Sequence, residues 1–464
     1  MQIVVLIGFI VALSFVELEP SPRSPAWFLP ALGLYLAGAA ALAWWRGRRA
    51  GRLLADAREV PRAAIRRINL MALAEHAWLL AGSAAVLGAG FAGWIVWRLR
   101  LRSVPLAAEL AALTPLVVAL LLTWLLEHPL HVAARRRVAR VSGPDAPAPR
   151  TWNRRDYVLY NARHSLLFIG VPICLILLVG DCLRLYVAPH VPPEVQDPVL
   201  LGGTFLAAAG VFVISPLLIV RVWRTRRLDD GPLRAELETI CRRMGLTYRD
   251  ILIWRTGGVV ANAAVIGLVG PARYVLLSDA LLENMHPRHV RAVFAHEAGH
   301  IAAHHMPYAV VFVIAATLLS AWASETAAGL LGLSSWSVDL IALTLMGAAL
   351  GLGFGRVSRR FERHSDVIGA WAAAPPPEDD PLRVTPEGSA IYAQALQQVA
   401  RLNGMPPSQP NWRHGSIANR VSYILWLGGT HGSRRDADRA VRRVKLGIWA
   451  AALLAGVLTA ARGL

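Results

Sequence analysis

The sequence predicts a multi-span α-helical membrane protein whose polar segments are mostly α with a small β-sheet. Two facts of composition and one of arrangement lead there. Of the 464 residues, 55% are hydrophobic and only 17% charged. A soluble domain carries roughly a quarter charged and ~45–50% apolar residues. The charges also keep out of the long apolar runs and gather between them. A disordered chain is excluded, because such chains are poor in apolar residues. The formal net charge of +18 would suggest nucleic acid in a soluble chain. Here it reads as basic loops between spans, so a lipid bilayer is the expected partner and nucleic acid is not. Among 48 basic residues only Lys445 is a lysine, which fits a GC-rich coding sequence and hence a bacterial inner membrane. Cys174, Cys182 and Cys241 make neither a disulfide framework nor a paired-cysteine metal site.

A bilayer core of ~30 Å takes about 20 apolar residues in a helix. Runs of that order lie at Trp27–Trp45, Ala77–Trp97, Pro105–Leu126, Ser165–Val187, Val199–Val220, Tyr308–Leu331 and Val338–Phe354. Two shorter runs, Gln2–Val16 and Leu446–Ala461, are further possible spans. The first lacks the basic start of a secretory signal and reads as an uncleaved anchor. Eight arginines fall within Arg46–His76 and eight within Glu127–His164, against none in Ala188–Pro198. The positive-inside rule therefore places the two rich loops in the cytoplasm, and with them Arg221–Pro307 and Gly355–Lys445. The expected organisation is a membrane region of about six spans over 1–220, then the first half of a catalytic domain over 221–307. A transmembrane hairpin follows over 308–354, then the second half over 355–445 and an apolar segment over 446–464. Glu109, Asp181, Arg184, Glu325 and Asp339 lie inside the apolar runs; all but Glu109 sit near a span end, where they can snorkel or pair.

The chemistry is expected in the two large polar segments. Arg288–His305 reads RHVRAVFAHEAGHIAAHH and is helical by composition. His296 and His300, four residues apart, share one helix face and can reach a single zinc ion. Glu297 follows the first histidine, where the general base of a metal-dependent hydrolysis belongs. Catalytic zinc usually takes three protein ligands. The third is expected in SRRFERHSD, Ser358–Asp366, just after the hairpin. Glu362 and Asp366 are again four apart, and the 62 residues from His300 to Glu362 accommodate two crossings and a turn. Glu362 is then the ligand and Asp366 the carboxylate that orients a ligand imidazole. His304 and His305 read as packing or as partners of the ligands.

HEAGH followed after a hairpin by SRRFERHSD resembles the integral-membrane zinc metalloendopeptidases that include the type I CAAX prenyl protease and HtpX. Upstream, Asn262-Ala263-Ala264-Val265-Ile266-Gly267 resembles that family's edge-strand element. Downstream, Arg413-His414-Gly415-Ser416-Ile417-Ala418-Asn419-Arg420-Val421 resembles its H-P-x-x-x-x-R-I element, with Gly415 and Val421 as departures; Ser365 departs from the usual alanine. The resemblance covers roughly Leu233–Ile424. It implies a cytoplasmic gluzincin-type catalytic domain with one Zn²⁺ per chain, held by His296, His300 and Glu362, with Glu297 as base. It further implies that Asn262 and Ala263 bind an extended polypeptide substrate, and that His414 and Arg420 stabilise the oxyanion. Alternating aliphatic residues in Asp250–Trp254 and Tyr274–Leu277 support a small sheet independently. The function expected is zinc-dependent endoproteolysis of membrane-associated or misfolded proteins. The alternatives are a sensor-transducer metalloprotease and a transporter or channel with a vestigial zinc site.

Overall fold

A computed structural model describes residues 1–16, 25–55, 62–142, 150–332, 335–409 and 411–461. The chain is mostly helical, with one four-stranded sheet. It divides into two compact units, Met1–Thr225 with Arg255–Val259, and Arg226–Trp254 with Val260–Leu464. Among the described residues seven helices have the length and apolar character of membrane spans: Ala63–Gly88, Ala107–Val138, Arg154–His190, Pro193–Val222, His305–Leu331, Ile341–Ala373 and Arg434–Ala460. The chain is an integral membrane protein.

The first unit contains α1 (Gln2–Val16), α2 (Leu29–Ala55), α3 (Arg62–Gly88), α4 (Phe91–Arg98), α5 (Ala107–Ser142), α6 (Arg154–Asn161), α7 (Phe168–Cys182) and α8 (Pro193–Val222). Helices α2 and α3 interlock through small residues, which let apolar helices approach closely. A Cβ on Gly38 would fall 2.3 Å from the Trp78 ring, and one on Gly82 would fall 2.3 Å from Tyr35. Tyr35 also donates its hydroxyl to the Leu79 carbonyl at 3.0 Å. Residues Arg255–Val259 belong to this unit through the Trp152 indole, which donates to the Thr256 carbonyl at 2.7 Å.

Several expected boundaries move here. The run Ala77–Trp97 is not one span. Its helix starts earlier, at Arg62, and breaks at Gly90, whose φ of 105° only glycine adopts readily. The two arginine-rich stretches are largely helical rather than loops, because α2 runs on to Ala55 and α5 to Ser142. Arg46 leaves the expected basic surface altogether and pairs with Glu75 at 3.0 Å and with Glu127 at 2.5 Å, both buried. Trp27–Trp45 becomes the apolar part of α2, which falls outside the seven spans. Asp181 is occupied by the Leu106 amide at 2.8 Å and by Arg184 at 2.7 Å, as a residue near a span end should be. Arg23 and Arg58 lie outside the described residues, as does the side chain of Asp339.

The second unit holds β1 (Thr225–Arg227) for its last two residues, α9 (Pro232–Arg243), β2 (Asp250–Trp254), β3 (Ala263–Ile266), β4 (Tyr274–Ser278), α10 (Asp279–Asn284) and α11 (Pro287–Ala302). Then come α12 (His305–Leu331), α13 (Ser335–Ala348), α14 (Gly355–Ala373), α15 (Pro386–Leu402), α16 (Ile417–Gly429) and α17 (Arg434–Ala460). Strand order is β1-β2-β4-β3. The two expected strands are both present and pair in parallel, Ile251 opposite Val275, while β3 runs antiparallel with Ala263 opposite Leu277. The core joins Leu237, Ile251, Val275, Leu277, Phe294, Val367 and Tyr392. Each large apolar side chain so buried contributes about 1.5–3 kcal/mol.

Helices α12 and α13 pack on each other, and a π-helical turn over Ala349–Phe354 carries α13 straight into α14. The helix that crosses the membrane therefore emerges as the helix bearing Glu362. Helix α14 lies along α11, and glycine permits the approach: a Cβ on Gly299 would sit 3.2 Å from three atoms of Ile368. On the other side of α14 a Cβ on Gly369 would meet the Tyr392 ring at 2.6 Å.

Candidate active site

Two helix faces meet between α11 and α14. Helix α11 starts at Pro287 with His286 as N-cap, its ring accepting the Arg288 amide. Two turns on, it presents His296 and His300 on the face turned to α14, which presents Glu362 and Asp366. The His296 and His300 Nε2 atoms are 3.4 Å apart. Each lies 3.6 Å from a different oxygen of the Glu362 carboxylate.

Hydrogen bonds decide what these atoms are. Asp366 Oδ1 lies 3.1 Å from His296 Nδ1. The Tyr392 hydroxyl is 2.9 Å from the same nitrogen and donates to Asp366 Oδ1 at 2.6 Å. A carboxylate only accepts, so the hydrogen is on Nδ1 and Nε2 of the neutral ring is bare. His300 Nδ1 is likewise engaged, 3.0 Å from His305 Nδ1. With the His300 hydrogen also on Nδ1, two bare ring nitrogens and a carboxylate converge, an arrangement that repels itself unless a cation lies between. Zinc fits. With bonds of ~2.0–2.1 Å, a tetrahedral ion holds its donors about 3.3–3.4 Å apart, close to the spacing found. Among the described residues His296, His300 and Glu362 form the one group with this capacity.

Burial and charge tune the site. Burial pushes the His300 imidazole down to about 3, with His296 reinforcing the shift, so its ring is neutral at ordinary pH. For His296 burial acts in the same direction, but the hydrogen bond and charge of Asp366 outweigh it and raise the value. Burial pushes Glu297 up to about 7, against the opposing pull of His296. No hydrogen bond from the described residues holds the Glu297 carboxylate. Burial and the charge of Asp366 raise Tyr392 well above the ordinary phenol range, so it remains a donor.

Helix α16 and the loop before it close the site from a third direction. Arg420 donates to Asp366 through Nε at 2.9 Å and through its terminal nitrogen at 2.5 Å, and lies 3.5 Å from Glu362. His414 Nδ1 is 2.8 Å from Glu362 Oε1, with 41% of its side chain exposed. The Asn411 side chain accepts the amides of Arg413 and His414, shaping the loop. Gly415 has φ of 75°, which proline cannot adopt. The departure noted at this position thus gives the loop a conformation of its own. Asn262 is exposed, its amide donating to Ser278 Oγ at 2.9 Å. Ala263 opens β3, the edge of the sheet, and α11 packs against that strand.

The protease HtpX homologue of Aeropyrum pernix is 31% identical over 257 residues, covering 52% of this chain and 76% of the relative. Residues 228–380 match the model of Peptidase family M48. The chain belongs to this family. It is an M48 metalloprotease with His296, His300 and Glu362 as its candidate zinc site. The crystal structure of S. mikatae Ste24p is similar at a TM-score of 0.48 with 15% identity, over 87% of this chain and 100% of that one, a likeness too distant to add to the assignment.

The geometry of this M48 peptidase brings together His296, His300, Glu362, Asp366, His414 and Arg420, drawn from three separate stretches of sequence. Asn262 and Ala263 stand apart, at the start of the edge strand. Tyr392 had no signal in the sequence: in α15 it is one apolar position among others, and only the packing of α15 under α14 turns its hydroxyl onto His296 and Asp366. His305 and His364 were visible as histidines, but nothing in their spacing said that they touch each other.

Proposed function

We propose that the protein is an endopeptidase cutting membrane-associated or misfolded polypeptides at the cytoplasmic face, with one zinc ion per chain. The observation that carries this reading is the convergence of His296, His300 and Glu362 beside a carboxylate, Glu297, that no described residue holds by a hydrogen bond. Zinc bound by His296, His300 and Glu362 supplies a Lewis acid that polarises a peptide carbonyl and acidifies water. Glu297 accepts the proton that water loses as its oxygen attacks the carbonyl carbon. When the C–N bond breaks, the same carboxyl returns a proton to the departing amine. A group with a value near 7 suits both transfers.

His414 donates to the oxygen that becomes negative in the transition state. Its half-exposed ring, already against Glu362, has room to turn towards that atom. Arg420 acts on the reaction at one remove, by holding Asp366 and through it His296. Among the described residues strand β3 has one side unpaired in the sheet, where an extended substrate adds as a further strand alongside Asn262 and Ala263. The alternation of arginine-rich segments, 46–76 and 127–164, with the arginine-free segment 188–198 supports a cytoplasmic location for this chemistry.

Two measurements test the reading. Glu297→Gln should keep its zinc while peptide cleavage falls to background, and membranes containing it should accumulate peptides absent from wild-type membranes. Glu362→Ala should lose much of both metal and activity; equal zinc occupancy in the two variants would remove Glu362 as a ligand. For sidedness, single cysteines near Arg136 and Asn411 should label from the cytoplasm and one near Gln196 from outside. An Asn411 site labelled from outside overturns the orientation.

A further inference from the structure

A file of imidazoles leads away from the zinc site. Beyond the contact of His300 Nδ1 with His305 Nδ1 at 3.0 Å, His305 Nε2 lies 3.1 Å from His364 Nδ1. His364 Nε2 then lies 2.6 Å from Asp438 Oδ1 on α17. We propose that Asp438 positions His300 as a metal ligand through His364 and His305, by fixing which nitrogen of each ring carries the hydrogen.

The polarity of the chain follows from its end. A carboxylate only accepts, so His364 must donate from Nε2. A neutral imidazole has one N–H, so His364 Nδ1 accepts, and the hydrogen there comes from His305 Nε2. By the same step His305 Nδ1 accepts from His300 Nδ1. His300 is left with its lone pair on Nε2, the atom that faces His296 and Glu362. Reversing any one of the three bonds sets two donors or two lone pairs against each other. A metal-bound imidazole commonly needs such a partner on its far nitrogen, to hold the ring and raise its basicity.

Packing holds the file in place. His305 and His364 are both buried, and His305 stacks on Phe361 with ring centroids 4.2 Å apart. His305 can turn back to His300 because His304, between α11 and α12, has φ of 52°. The Ser365 hydroxyl lies 3.5 Å from His305 Nδ1, so this departure from alanine adds a polar contact to the file. On α17, Val441 and Ile448 bury against Phe361, and Lys445 donates to the Ala303 carbonyl at the end of α11 at 2.6 Å. One helix thus grips both the file of rings and the end of the metal-binding helix. These positioning residues matter only if the metal sits at His296, His300 and Glu362, so the inference rests on that reading.

The test is a pair of substitutions at one position, read by zinc affinity in competition with a chelator on the purified full chain. His364→Gln keeps the polarity, since an amide accepts through oxygen and donates through nitrogen much as the ring does. His364→Phe keeps the packing and loses the polarity. The Phe variant should hold zinc about 10–100-fold more weakly, and the Gln variant nearly as well as wild type. Asp438→Ala, altered at the half-exposed end where folding is least at risk, should weaken zinc in the same way. A Phe variant that binds zinc normally, or a Gln variant that falls as far as Phe, overturns the inference. A wild-type chain that takes up no zinc overturns the metal site itself, and the two failures are thereby distinguishable.

Discussion

His296 meets its anchoring carboxylate directly, Asp366 lying 3.1 Å from its Nδ1, whereas two further rings separate His300 from Asp438. The surroundings explain the difference. Around His296, α14, α15 and α16 bring a tyrosine and an arginine as well as the carboxylate, so a fully buried charge is met by an opposite one and by several donors. His300 sits where α11 gives way to the apolar helix α12. A carboxylate buried there without a cation would carry a large desolvation penalty. Neutral imidazoles transmit the same polarity without a charge, and the charge appears only at Asp438, whose side chain is 40% exposed. One arm relies on a buried ion pair and the other on a relay.

The comparison can be broken from either side. Asp366→Ala strands the Arg420 guanidinium among buried groups and should destabilise the chain by about 3–5 kcal/mol. Asp438→Ala removes only a half-exposed partner of Arg434 and His364 and should cost under about 1 kcal/mol. Chemical denaturation of the two zinc-free variants measures this contrast, and equal losses would show that the arms are anchored alike. His414 belongs to neither arm. His414→Ala should retain zinc and bind a peptide substrate almost normally while kcat falls about 10²-fold, the usual cost of one oxyanion donor. Turnover close to wild type would leave the ring with no part in the reaction. Within the His296 arm a smaller effect than that of Asp366→Ala is expected of Tyr392→Phe. It deletes one hydrogen bond to the Asp366 carboxylate, worth about 1.5–3 kcal/mol, and leaves that of Arg420. Its unfolding midpoint should shift less than that of Asp366→Ala, and a shift as large would move Tyr392 from support to principal anchor of the His296 arm.

What could be read from the sequence alone was whatever obeys a local period or a length. The four-residue spacing put His296 with His300 and Glu362 with Asp366, because a helix repeats every 3.6 residues wherever it lies. The length between the motifs allowed a hairpin, and alternating aliphatic residues marked β2 and β4. Helix boundaries were less secure: apolar content does not show that Gly90 ends one helix and starts another, nor that Arg46 turns inward to Glu75 and Glu127. The supports of the site were beyond such reading. Tyr392 reaches His296 across 96 positions and Asp438 reaches His364 across 74. Hydrogen bonds over such separations impose no period on the residues between them. They exist because α15 packs on α14 from one side and α17 from the other. Tertiary structure thus decided which nitrogen of each histidine faces the metal, since that depends on what each ring touches on its far side.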